Sequence, residues 1–124
     1  MRLLLFLYLL LFTAGEPRTI RLIADGNDRF RLMDQAENVL VLKPGEKIVL
    51  HVEAKPGPAR AHDGAIHSLV VRKLRDQGWN IRLKEGVQEI ALTAPGEAGE
   101  YLIECTVFCG PGHPSMNLKM IVRN

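Results

Sequence analysis

The sequence predicts an all-β domain, a two-sheet sandwich of seven to nine short strands in Greek-key connection. Three observations predict it. Apolar and polar residues alternate in short runs; the runs recur about every ten residues between Gly- and Pro-rich turns; and no stretch sustains a helical stripe of apolar side chains. The Greek-key connectivity follows from the habit of two-sheet folds rather than from any residue.

The elements follow in order. Thr19–Ala24 alternates and ends at a turn signal, Gly26-Asn27-Asp28. Arg29–Met33 and Asn38–Leu42 are short apolar-rich runs. Met33–Leu40 is the one stretch open to a helical reading, and it is too short for more than a loop or a single helical turn. Lys43-Pro44-Gly45-Glu46 is a turn before a clean strand, Lys47–Ala54. Lys55–Asp63, with Pro56, Gly57 and Pro58, has no periodicity and reads as a loop. Strand character returns in Ala65–Lys73, Trp79–Leu83 and Val87–Thr93. Ala94–Gly99 is a turn into Tyr101–Phe108, and after Cys109–Pro114 the chain closes with Met116–Val122.

Composition bounds the function only loosely. Hydrophobic residues make up 47% and charged residues 24%, an ordinary globular balance. The net charge of +2 and the lack of like-charge blocks argue against a nucleic-acid partner or an anionic membrane surface. Residues 1–15 are expected to be a signal peptide: Arg2, an apolar run from Leu3 to Phe12, then small residues at Thr13 and Gly15 suited to cleavage before Glu16. That run is short of the roughly 20 residues a spanning helix needs, and a retained short anchor is the alternative. Either way the domain, residues 16–124, is expected at the periplasmic or extracellular face. Membrane contact is expected only if the leader stays.

An exported chain with two cysteines normally pairs them. Cys105 and Cys109, however, would close so short a loop that a disulfide restrains the unfolded chain little. A metal-free sandwich with that disulfide remains the bland alternative. The rest of the segment offers another: Cys109, His113 and Met116 put thiolate, imidazole and thioether on one loop, donors that copper prefers. With one upstream histidine they make the two-His, one-Cys, axial-Met set of a blue copper site. Cys105 is then surplus to one metal, whereas two thiolates on one loop can bridge two copper ions. His67, in the strand segment Ile66-His67-Ser68, is the upstream candidate; His51 reads as a packed or surface imidazole and His62 as a loop residue.

The segment Cys105–Met116 resembles, without a gap, the dinuclear copper (CuA) loop of cytochrome c oxidase subunit II and nitrous-oxide reductase, Cys-x3-Cys-x3-His-x2-Met, on a cupredoxin-like fold. Pro95-Gly96 through Tyr101, Ile66-His67-Ser68 and Pro44-Gly45 through Leu50 resemble other parts of that family, so the likeness spans residues 40 to 123. The resemblance implies Cys105 and Cys109 as bridging thiolates, His67 and His113 as terminal imidazoles, Met116 as an axial donor and the Val107 main-chain carbonyl as another. It implies two copper ions, one-electron transfer, no substrate turnover by this chain alone, and a redox partner such as a c-type cytochrome or a terminal oxidase or reductase. Two departures stand out. Val107 replaces a usually acidic side chain, and Ala24–Arg29 lacks the aromatics of the family's electron-entry segment. The metal site therefore carries over better than the partner. Copper handling with the same ligands, as a chaperone, scavenger or sensor, is the competing function.

Overall fold

The computed structural model describes residues 16–124, so the expected leader lies outside the described residues. Nine strands form two mixed sheets. In one, the order is β2 (Phe30–Leu32), β1 (Arg18–Ala24), β4 (Lys47–Ala54) and β7 (Gly86–Thr93). In the other it is β3 (Val39–Leu42), β9 (Asn117–Val122), β8 (Gly99–Glu104), β5 (His67–Val70) and β6 (Asn80–Leu83). The all-β, two-sheet expectation is borne out.

Most neighbours run antiparallel, but β1 with β4 and β3 with β9 are parallel. Both parallel pairs arise because the chain changes sheets between partners. After β2 it crosses to place β3, then returns to lay β4 beside β1. Such crossings let one continuous core lie between the sheets. Alternation supplies that core: Ile48, Leu50, Val52 and Ala54 point inward from β4, and Leu118, Met120 and Val122 from β9. Trp79 is fully buried, and its indole N–H donates to the Thr93 carbonyl at 3.0 Å, linking the approach to β6 with the end of β7 in the opposite sheet.

Two strand ends differ from the sequence reading, each for a physical reason. The strand expected over Ala65–Lys73 is only His67–Val70; a 3-10 turn, Arg72–Gln77, follows and drops Leu74 into the core. Gly78, at φ 94, ends that turn in the left-handed conformation only glycine adopts without cost. The strand expected over Tyr101–Phe108 stops at Glu104, and the amides of Thr106 and Val107 bond to the Ser68 side chain rather than to a neighbouring strand. Met33–Leu40 is a loop up to Val39, one of the two forms expected. There the Asn38 side chain accepts from the Leu32 amide and donates to the Phe30 carbonyl, both at 2.8 Å, pinning the short β2.

Candidate metal centre

Three connections meet at one end of the sandwich: the β1–β2 turn, the loop from β4 to β5, and the segment from Cys105 to Met116 joining β8 to β9. The last of these leaves β8 at Cys105, whose amide donates to the Met116 carbonyl at 3.1 Å and closes the loop at its base. A 3-10 turn at His113–Ser115, with Pro114 inside it, shapes the return.

Within this loop the sulfurs of Cys105 and Cys109 lie 3.6 Å apart, and both thiols are free and buried. A disulfide needs about 2.05 Å, and here each sulfur has its own further neighbours. Around Cys105 are the Val107 carbonyl oxygen, 3.1 Å from Sγ, and the Ser68 amide, which donates to Sγ at 3.4 Å. Around Cys109 are Nδ1 of His113 at 3.5 Å and Sδ of Met116 at 3.6 Å. Potential ligand atoms of His67, Cys105 and Cys109 all fall within 4.8 Å of one another. The fold therefore gathers all six positions expected from sequence, His67, Cys105, Val107, Cys109, His113 and Met116, into one cluster.

The cluster fits a soft or borderline metal on an observation of its own. His67 is completely buried at the start of β5. Its Nε2 lies 2.7 Å from the Lys55 carbonyl, so that nitrogen carries the proton and donates. Nδ1 is then a lone-pair acceptor, and it is buried with no hydrogen-bond partner. A buried acceptor left unanswered costs about 1–3 kcal/mol. A carbonyl fixing one ring nitrogen while the other is held free is how metal-binding imidazoles are oriented.

Electrostatics separates the two thiols. Burial pushes Cys105 up, but the neighbouring His67, the Ser68 amide, His113 and Cys109 outweigh it and hold the thiol near 6. Cys109 is pushed well above the ordinary thiol range by burial, by the charge on Cys105 and by Asp28. His67 loses basicity through burial yet ends above its usual value, because Cys105 and the Lys55 carbonyl favour the protonated ring. One thiolate thus sits ready at neutral pH beside an imidazole, with a second thiol alongside.

His51 and His62 stay out of the cluster, as expected. His51 on β4 pairs with Glu89 across the sheet at 3.2 Å, and His62 is exposed in its loop. Two residues the sequence reading did not single out stand in the surroundings. Ser68, fully buried, accepts from the amides of Thr106 at 2.7 Å and Val107 at 3.3 Å, and its Oγ is 2.9 Å from the Thr106 hydroxyl. Asp28 accepts from the Gly112 amide at 2.9 Å. Ser68 directly follows a candidate ligand, which is a usable signal; Asp28 lies 84 positions from Gly112 and gave none.

No family model matches the sequence, and no curated protein matches it. Solved structures do. A heme-copper terminal oxidase dimer is similar over 90% of this chain and 68% of its own, at TM-score 0.65 and 19% identity. The fold is that of the cupredoxins. The periplasmic domain of subunit II of cytochrome oxidase from Bradyrhizobium japonicum shares it at TM-score 0.58 and 17% identity, over 86% of this chain and 84% of that domain. Auracyanin A, a blue copper protein from Chloroflexus aurantiacus, shares it at TM-score 0.52 and 22% identity, over 86% and 99%. These structural neighbours bear on the architecture of the chain; its chemistry rests on the cluster.

Proposed function

We propose that this chain is an exported copper protein whose dinuclear, CuA-type centre carries single electrons between redox proteins. The observation that carries this reading is the pair of free thiols 3.6 Å apart, each with a different imidazole and a different weak donor beside it. Cys105 has His67 and the Val107 carbonyl on its side; Cys109 has His113 and Met116. Bound there, two copper ions would supply one-electron oxidation and reduction. The residues would hold both thiolates in place, orient His67 through the Lys55 carbonyl, and keep water from the buried side.

The donor set leaves no open coordination position, which supports a carrier rather than a catalyst. His113 is the more exposed imidazole, and the Phe108 ring, 66% exposed, lies 5.8 Å from it. That edge is where a partner such as a c-type cytochrome, or a terminal oxidase or reductase, would approach. Two structural neighbours, a heme-copper terminal oxidase dimer and the periplasmic domain of a cytochrome oxidase subunit II, support such a partner and an exported location.

The test is copper counting with optical and electron-paramagnetic-resonance spectra on the reduced, copper-reconstituted protein. Two coppers per chain with hyperfine splitting shared by two nuclei are expected. Cys109→Ser should abolish that signal, and Met116→Leu should shift it while copper stays bound. One copper with a mononuclear spectrum would overturn the dinuclear assignment. Rapid surrender of copper to a chelator or acceptor protein would favour copper handling instead.

A further inference from the structure

The turn between β1 and β2 buries an acid that the copper reading leaves unused. Asp25 builds the turn: its Oδ1 accepts from the amides of Asn27 at 3.0 Å and Arg29 at 3.1 Å, and Oδ2 accepts from Nε of Arg31 at 3.0 Å. So framed, the turn directs Asp28 inward at φ 59, a left-handed conformation that short polar side chains tolerate. Asp28 is 3% exposed. One carboxylate oxygen accepts from the amide of Gly112, the residue before His113; the other is buried with no partner among the described residues.

The surroundings are shaped to admit it. A Cβ on Gly110 would stand 2.6 Å from Oδ2 of Asp28, and one on Gly112 would stand 2.9 Å from its Cβ. Real Cβ atoms essentially never come that close, so both glycines of the loop make room for this side chain, and Gly110 makes room for the Pro58 ring as well. Burying a carboxylate with an oxygen unanswered costs stability. Nothing in the turn itself needs it, since Asp25 already satisfies the turn's amides. A Cβ on Gly57 would stand 2.7 Å from the Cys109 carbonyl oxygen and 3.0 Å from Oδ1 of Asp28, so the carboxylate lies close against the Cys109 backbone.

We propose that Asp28 is a positioning residue of the centre: it anchors the His113 side of the ligand loop through the Gly112 amide and sets a negative charge beside Cys109. The charge part rests on the copper reading; the anchoring part does not. A negative charge beside a bound metal favours its more oxidised form, so removing it raises the reduction potential.

The test uses Asp28→Ala and Asp28→Asn. In the metal-free protein, hydrogen exchange of the Gly112 amide should speed up about tenfold or more in Asp28→Ala, the loss expected for a hydrogen bond to a charged group. Asp28→Asn keeps an oxygen acceptor and should lose only a few-fold, while amides of β4 stay unchanged in both. Unchanged Gly112 exchange in Asp28→Ala overturns the anchoring role. Should that variant not fold, Asp28→Asn decides alone: no change in either exchange or the Gly112 amide proton shift overturns it. With copper bound, Asp28→Asn should keep its copper content and show a raised potential; an unchanged potential overturns the charge role. If the wild-type chain takes up no copper, the copper reading and the charge role fall together, and the exchange measurement still decides the anchoring.

Discussion

Replacing Ser68 with alanine should loosen the ligand loop by a calculable amount. The Ser68 hydroxyl is the acceptor for two successive amides, Thr106 at 2.7 Å and Val107 at 3.3 Å, where β8 has ended and no strand partner exists. Alanine leaves no sizeable cavity, so the cost is almost all polar. The Val107 amide is buried and would have no acceptor, a loss of about 1–3 kcal/mol; its bond is long, which puts it at the low end. The Thr106 bond is shorter but lies nearer solvent, where water recovers part of its loss. Together the two give about 2 kcal/mol, or a drop in Tm of roughly 10 °C for a domain of this size. Urea unfolding of the metal-free protein measures it as a lower midpoint at unchanged slope. A loss below about 0.5 kcal/mol would mean that these amides find other partners and that Ser68 does not hold the loop.

Two predictions concern pH. Ultraviolet thiolate absorbance of the metal-free protein should show a one-thiolate step near pH 6, assigned to Cys105. The step should vanish in Cys105→Ser, and the Cys109 thiol should stay protonated well above the ordinary range; a single step of two thiolates at ordinary pH would refute the asymmetry. Asp63, beside the β5 start, accepts from the Ala65 amide and pairs with Arg82 on β6, which hold its carboxyl well below the usual range. A depressed folded value stabilises the protein above the unfolded carboxyl value, near pH 4, and the contribution is lost as pH falls. Asp63→Asn should therefore lose less stability than wild type on acidification below about pH 4. Parallel stability curves for the two proteins would remove this pair from the account.

How much was legible in the sequence depended on the range of the interactions involved. Strand β4 was readable to the residue, Lys47–Ala54, because its alternation faces a core on one side and needs no distant partner to be recognised. The candidate loop donors were equally legible: Cys105, Cys109, His113 and Met116 lie within one short segment, and spacing alone brings their donor atoms near one another. His67 could be nominated from its strand and its neighbours, but its orientation could not. The Lys55 carbonyl that fixes the ring lies across a loop, and only folding brings the two to 2.7 Å.

Tertiary structure alone decided where strand character would yield. Thr106 and Val107 belong to a run with strand propensity, yet the Ser68 hydroxyl, 39 residues before Val107, takes the amides a ladder would have used. It also decided the place of Asp28, which in sequence is one letter of a turn signal and in the fold is buried against Gly110 and Gly112. Periodicity and spacing report forces between residues close in the chain. A hydrogen bond or a close approach between distant segments leaves no local mark, because either partner alone looks like an ordinary loop residue. The sequence by itself therefore determined the all-β class, most of the strands and the candidate donor set. The tertiary structure determined which nitrogen, which carbonyl and which carboxylate surround it.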